Sequence, residues 1–297
     1  MTAAIVGQFK LAIALPSVTL PAIIMNDEIQ CRLHGVQLGL ALEVDRICRA
    51  HGLKYCVIAG TLLGAVRHGG FIPWDDDIDI GMLREDYDVF IRVAQSELED
   101  RCFLQTWDTD TAYALPLAKL RKNGTKFVER NSSRVNLHDG IFIDIFPLDN
   151  VPAGAIAQKW HAAAAYVLRR ILLIKSGYEL WEESDYLKKT TYRLLKLVSL
   201  PFSLRYIKGL LGRVMTKYRD APGEFVVAIG GAYGYKKESI RRDWVEDVHQ
   251  VNFDGEQLFA PVASHDYLSY FYGDYMTPPP EGSRYNRHGM LSIEFED

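Results

Sequence analysis

Four aspartates within five positions form an acidic cluster in this chain: Asp75, Asp76, Asp77 and Asp79. Carboxylates held a few ångströms apart repel one another in a low dielectric, so we expect a positively charged counter-ion to bind this cluster. Side chains alternate along a β-strand, so Asp77 and Asp79 would share one face while Ile78 and Ile80 pack into the core. The alternation predicts a strand that presents two carboxylates to one divalent cation. The alternative is a solvated acidic loop or the N-terminus of a helix.

A third carboxylate is expected from Asp144, which stands alone in the apolar stretch 142–146. Burying such a carboxylate without a partner costs free energy, and a basic neighbour or backbone donors are the alternative to a metal. Ligands that are all oxygen favour Mg²⁺ or Mn²⁺, which usually bind substrate phosphates as well. The predicted ligands of this cation are Asp77, Asp79 and Asp144.

Hydrophobic periodicity predicts an α+β fold with a mixed α/β core. Apolar residues at helical spacing predict a helix over 27–50, with Asn26 or Asp27 as its N-cap and Gly52 at its end. A second helix is expected at 85–96. Strands are expected at 55–59, 78–82, 102–107, 117–121, 126–129 and 141–146, with turns at 123–124 and 139–140.

Four segments are expected along the chain. They are an N-terminal arm at 1–26, a catalytic core at 27–152, a helical, basic region at 153–225 and a C-terminal segment at 226–297 that completes the site. Residues 11–25 are uncharged and largely apolar, but a spanning helix needs about 20 residues. An arm packed on the domain is therefore expected, and Gly177 and Pro201 should interrupt the helical region.

Charge and cysteine usage narrow the class of partner. The net charge of -4 argues against general nucleic-acid binding. The four cysteines form no CxxC pair, so a reducing, cytoplasmic location fits. Residues 186–219 hold nine basic residues and no acidic one, a composition that can lie on an anionic membrane at its inner face. The alternative is two ordinary helices whose lysine stems cover a core.

A glycine turn and four basic residues could receive phosphate groups. Gly60 and Thr61 close the predicted strand at 55–59 and open a helical turn, where backbone N–H groups can bind a phosphate oxygen. A purely structural glycine is the alternative. The basic candidates, for each of which a salt bridge is the alternative, are Arg67, His68, Lys119 and Arg121.

The stretch 59–80, AGTLLGAVRHGGFIPWDDDIDI, resembles the signature of the LicD family, which includes bacterial phosphocholine transferases and, more distantly, fukutin-related proteins. The resemblance extends through 119–121, 140–149 and 271–276. It implies a nucleotidyltransferase fold of the DNA polymerase β type, with a mixed sheet, flanking helices and a helical C-terminal region. The family's glycine turn, aspartate pair and later carboxylate correspond to Gly60-Thr61, Asp77-Ile78-Asp79 and Asp144.

The resemblance also implies a reaction: transfer of phosphocholine from CDP-choline to a hydroxyl of a cell-surface glycan or its lipid-linked precursor, with release of CMP. The alternatives are another CDP-activated alcohol (ethanolamine, ribitol or glycerol), nucleotidyl transfer that releases pyrophosphate, and non-catalytic binding.

In that reaction Arg67, Lys119 and Arg121 would take up phosphate charge beside the metal. The candidates for the base that accepts the hydroxyl proton are Asp144, Asp75 and Asp76. Aromatic faces suit the trimethylammonium group of choline. The aromatic candidates are Trp74, Trp107, Tyr113, Tyr270, Tyr272, Tyr275 and Tyr285.

Overall fold

The computed structural model describes residues 26–179, 186–284 and 289–296, so the expected arm at 1–26, apart from Asn26, and Tyr285 lie outside the described residues. The helices are α1 Asp27–His51, α2 Ala59–His68, α3 Arg84–Glu97, α4 Ala155–Lys175, α5 Tyr186–Ser199, α6 Leu204–Met215, α7 Tyr235–Glu238, α8 Asp243–Glu246 and α9 Ser264–Tyr272. The strands are β1 Cys56–Val57, β2 Asp79–Leu83, β3 Cys102–Gln105, β4 Ala118–Lys122, β5 Lys126–Glu129, β6 Phe142–Asn150, β7 Phe225–Val227, β8 Ser239–Arg241, β9 Val248–Phe253, β10 Glu256–Pro261 and β11 Met290–Glu294.

Helix α1 has the ends that its sequence predicts. The side chain of Asn26 accepts a hydrogen bond from the Ile29 N–H at 2.8 Å, which satisfies one of the helix's first free donors. Gly52 ends the helix in the left-handed conformation with φ 63°, where a residue without Cβ adopts the turn at little cost. The helix buries Leu33, Leu40 and other apolar residues against the sheet.

A mixed sheet in the order β1-β2-β6-β4-β3 forms the core, and β7 and β8 continue from the end of β6. Strands β2 and β6 are parallel, whereas β1–β2, β6–β4 and β4–β3 are antiparallel. The four isoleucines on the inner face of β2 and β6 and just before β2 are fully buried: Ile78, Ile80, Ile143 and Ile145. The expected mixed α/β core is confirmed, and Ile78 and Ile80 pack into the core as expected.

The strand expected at 102–107 is shorter in the structure, since β3 ends at Gln105. Two other predicted strands differ because of contacts with later parts of the chain. The strand expected at 55–59 covers only Cys56–Val57, because Ala59 already begins α2 and its N–H turns to the Tyr267 hydroxyl. The strand expected at 141–146 runs on to Asn150, because β7 pairs with its end. Both differences depend on residues far along the chain.

Helices α4, α5 and α6 form the predicted helical region. Helix α4 ends at Lys175, just before Gly177, and α5 ends at Ser199, just before Pro201, so both expected interruptions are confirmed. Helix α4 contacts α5 and α6. No helix in the ranges 26–179, 186–284 and 289–296 is long and apolar enough to cross a bilayer.

The C-terminal segment returns to the core. Strands β9 and β10 form a hairpin that turns at Asp254 and Gly255, both with positive φ. The Asp254 side chain accepts from the Phe71 N–H at 3.2 Å, and its own N–H donates to Gly69 at 2.8 Å. The hairpin thereby fixes the loop that leads from α2 to the aspartates.

Candidate active site

Strands β2 and β6 place two of the predicted ligands side by side. In the parallel register Asp79 is the partner of Asp144, so the two side chains leave the same face of the sheet. Asp77 lies just before β2 and is 8% exposed, as is Asp144. The strand pairing therefore brings together Asp79 and Asp144, which are 65 positions apart in sequence.

The loop before β2 gathers the remaining carboxylates. One oxygen from each of Asp75, Asp76 and Asp77 lies within 4.8 Å of the others. A donor set made only of carboxylate oxygens is the chemistry that Mg²⁺ and Mn²⁺ prefer, so these residues fit the expected cation. The structure thus groups Asp77 with Asp75 and Asp76. The assignment of Asp77, Asp79 and Asp144 as ligands stays a prediction.

Side chains of helix α1 bind backbone carbonyl groups of this loop. Gln30 and His34 both donate to the Asp75 carbonyl, His34 at 2.8 Å, and Gln37 donates to the Asp76 carbonyl at 2.6 Å. Burial lowers the pKa of the His34 imidazole below its ordinary value. Sequence reasoning missed these residues. The sequence signal that could have identified them is three polar side chains at i, i+4 and i+7 on one face of the helix. In the structure Gln37 is only 1% exposed.

The glycine turn contacts the aspartates directly. A Cβ on Gly60 would lie 2.7 Å from an Asp75 carboxylate oxygen, so any other residue here would require the Asp75 side chain to move. The Thr61 hydroxyl accepts from the Asp79 N–H at 2.8 Å, which ties the start of β2 to α2. Ala59 has φ 48°, an uncommon conformation for a residue with a Cβ. Phosphate binding by this turn stays a prediction.

Lys119 is a direct neighbour of Asp144. Its ammonium lies 3.1 Å from Asp144 Oδ1 and 3.3 Å from Glu129 Oε2, and its side chain is 2% exposed. The basic neighbour that the sequence left open for Asp144 is therefore present, and Glu129, which sequence reasoning did not single out, completes the group. A buried lysine between two carboxylates fixes where the Asp144 side chain lies.

Arg121 lies on the same face of β4 as Lys119, but its hydrogen-bond partners are different. Its guanidinium donates to Gln105 Oε1 at 2.6 Å and to the Gly140 carbonyl at 2.6 Å. At 2% exposure it is buried among these partners. The structure therefore places Arg121 beside the start of β6, two residues along the strand from Lys119.

A cationic and aromatic group lies at the end of α2. Arg67 donates to His68 Nε2 at 3.0 Å and to the Tyr275 carbonyl at 2.8 Å. The ring of His68 lies 6.2 Å from that of Trp74, and the Arg284 guanidinium lies 5.2 Å from the centre of the Trp74 ring. Burial, and then the charge of Arg284, lowers the pKa of Arg67. Sequence reasoning missed Arg284, which the fold brings back from the C-terminal segment.

The aromatic candidates are distributed over different environments. Tyr113 is 1% exposed, and burial raises its pKa well above the ordinary value, so it packs in the core. Burial also raises the pKa of Tyr272. Tyr275 bonds to His265 at 3.0 Å, and Tyr270 is exposed. Trp74 is half-buried, next to the aspartates, and already has a cation over its face.

Comparison with known proteins finds similarity to one family of transferases. Residues 52–166 match the family described as LicD/FKTN/FKRP, nucleotidyltransferase domain. The chain is 29% identical over 250 residues to the lipopolysaccharide cholinephosphotransferase LicD of Haemophilus influenzae, covering 82% of this chain and 89% of that protein. A shorter match, 50% identical over 46 residues, covers 16% of this chain and 9% of the ribitol 5-phosphate transferase FKRP of Homo sapiens. The chain therefore resembles the LicD family both in the nucleotidyltransferase domain at residues 52–166 and over the longer match of 250 residues.

Proposed function

We propose that this chain is a transferase that moves phosphocholine from CDP-choline to a hydroxyl of a lipopolysaccharide-type glycan and releases CMP. The similarity to a lipopolysaccharide cholinephosphotransferase over 82% of the chain supports the transferred group and the acceptor class. The observation that carries the chemistry is the juxtaposition of Asp79 and Asp144 across β2 and β6, beside the group Asp75–Asp77.

The carboxylates would hold the divalent cation. Asp77, Asp79 and Asp144 are the proposed ligands, and Asp75 and Asp76 lie close enough to Asp77 to bind or to accept a proton. When bound, Mg²⁺ or Mn²⁺ neutralises negative charge on the phosphates of the donor.

Cationic side chains would bind the diphosphate from the other side. Arg67 and Arg284 bring two guanidinium groups near Trp74, and phosphate oxygens suit such planar donors. Lys119 keeps Asp144 in place rather than contacting the donor, since it already lies between Asp144 and Glu129.

The bond changes follow from this arrangement. An acceptor hydroxyl oxygen forms a bond to the choline-side phosphorus as the bond from that phosphorus to the CMP oxygen breaks. The hydroxyl proton passes to a carboxylate oxygen, for which Asp144, Asp75 and Asp76 are the candidates. The departing CMP carries the negative charge that Arg67 and Arg284 neutralise.

A related alcohol phosphate is the second candidate. The match to a ribitol 5-phosphate transferase covers only 46 residues, but it is 50% identical there. The same carboxylates and arginines would serve a CDP-activated ribitol, ethanolamine or glycerol, because the diphosphate and the cytidine are shared.

The test is a donor panel with product analysis. The full chain is incubated with Mg²⁺, a lipopolysaccharide acceptor and each of CDP-choline, CDP-ethanolamine, CDP-ribitol, CDP-glycerol and CTP, and CMP and pyrophosphate are measured. We expect CMP from CDP-choline that depends on acceptor and on the cation. Asp77→Asn should abolish it, whereas Asp100→Asn, at an exposed loop position, should not. Pyrophosphate from CTP without CMP from any CDP-alcohol would refute the proposal in favour of nucleotidyl transfer.

A further inference from the structure

The helical region carries an unusual share of the exposed apolar surface. Among the described residues, fifteen large hydrophobic side chains are exposed, and ten of them lie between residues 156 and 206. Six of the ten follow one another through α5, the turn after it and the first turn of α6: Leu194, Leu197, Val198, Leu200, Phe202 and Tyr206. Contiguous exposed apolar surface of this kind marks a contact site with a protein or a membrane.

The spacing of these residues defines one face, which we call the α5–α6 surface. Leu194, Leu197 and Val198 are at i, i+3 and i+4 on α5, and they are 54–64% exposed. The rings of Phe202 and Tyr206 stack at 5.5 Å with an angle of 13° between them, which continues the surface into α6. The apolar side chains are thus arranged along a ridge and not scattered singly.

The charged residues within the stretch 186–219, which contains this surface, are all basic. Arg193, Lys196 and Arg205 are exposed beside the apolar residues. The whole sequence from 186 to 219 contains nine basic residues and no acidic one. A second copy of the same surface would therefore face it with like charges, which disfavours a symmetric dimer through this face. An anionic lipid surface offers the opposite charge.

We propose that the α5–α6 surface docks the protein on a bilayer that contains anionic lipids, with its leucines in the interface and Arg193, Lys196 and Arg205 against the headgroups. A helix with an apolar face and a basic polar face lies in the plane of the membrane interface. This proposal goes beyond the proposed reaction, which requires only a donor and an acceptor, and it does not depend on that reaction.

The test measures binding of the full chain to vesicles. Binding is followed by co-sedimentation with vesicles of phosphatidylcholine alone and with vesicles in which about a third of the lipid is phosphatidylglycerol. We expect binding to the anionic vesicles that weakens as salt is raised, because the headgroup attraction is screened.

Two sets of variants separate the contribution of the apolar side chains to vesicle binding from that of the basic side chains. Leu194→Ser with Leu197→Ser should weaken binding by about tenfold or more, since two apolar side chains no longer enter the interface. Neutralising Arg193, Lys196 and Arg205 to glutamine should weaken it about a hundredfold, at about fivefold for each basic residue. The matched controls are Val262→Ser and Arg101→Gln, at positions exposed elsewhere on the protein; both should bind like the unchanged chain.

Each result decides the proposal. Loss of binding in both variant sets with unchanged controls supports it, and an unchanged circular dichroism spectrum and midpoint of thermal unfolding would show that the fold is intact. Absence of vesicle binding, or binding that neither variant set weakens, overturns it. Self-association in sedimentation equilibrium that Leu194→Ser with Leu197→Ser abolishes, without vesicle binding, would assign the surface to a second copy instead.

Discussion

Replacing Lys119 by methionine should destabilise the protein strongly. The ammonium lies 3.1 Å from Asp144 and 3.3 Å from Glu129, and all three side chains are at most 12% exposed. At an effective dielectric of about 20, each contact contributes about 5 kcal/mol of Coulomb attraction, and desolvation of the charges offsets part of it. Lys119→Met leaves both carboxylates buried without that ammonium. We therefore expect the free energy of unfolding to fall by about 3–5 kcal/mol.

Lys122 on the same strand supplies the control. Its ammonium lies 3.3 Å from Glu296, but the two side chains are 22% and 58% exposed. Water screens this pair, so Lys122→Met should cost less than about 1 kcal/mol. Urea unfolding followed by circular dichroism and tryptophan fluorescence measures both variants. Adding Glu129→Gln to Lys119→Met should recover part of the loss. Equal stability of the two single variants would refute the electrostatic account of Lys119.

Three further predictions concern the carboxylate loop and a buried acid. Gly60→Ala should weaken Mn²⁺ binding, measured by electron paramagnetic resonance, because its Cβ would meet Asp75 at 2.7 Å; Gly35→Ala, with nothing within 4 Å, should leave it unchanged. Gln37→Leu should lower the free energy of unfolding by about 1–3 kcal/mol, since a buried carbonyl loses its donor; no loss would contradict the role of this bond. Burial raises the pKa of Glu238 from 4.5 to about 6, so the folded state binds more protons than the unfolded state in that window and stability should fall as pH rises from 4.5 to 6. Glu238→Gln should remove this fall, and an unchanged pH profile of unfolding would contradict it.

Local signals account for the parts of the fold that the sequence predicts. Helix α1 begins and ends where expected because Asn26 caps it and Gly52 adopts the left-handed conformation, and both features depend on neighbouring residues only. The burial of Ile78 and Ile80 follows from strand alternation in the same way. Asp144 was identifiable because a single charge interrupts an apolar strand.

Long-range partners explain what the sequence did not predict. The extension of β6 to Asn150 requires β7, which lies beyond the whole helical region. Arg284 joins Trp74 only because the C-terminal segment folds back onto the core. For Lys119 the sequence left two roles open, phosphate binding and pairing with an acid. The register of β4 and β6 makes Lys119 the partner of Asp144 and so shows the pairing with an acid; phosphate binding by Lys119 stays a prediction.

Helix α1 binds the backbone of the aspartate loop, and this bears on which substitutions the loop can tolerate. Gln37 and His34 bind carbonyl oxygens of Asp76 and Asp75, which every residue type possesses. The path of the loop is therefore specified independently of the carboxylates that it displays. A substitution of an aspartate side chain can remove the chemistry and still leave the loop in place. Relatives of this chain that have lost an aspartate should therefore still fold with the loop in the same path.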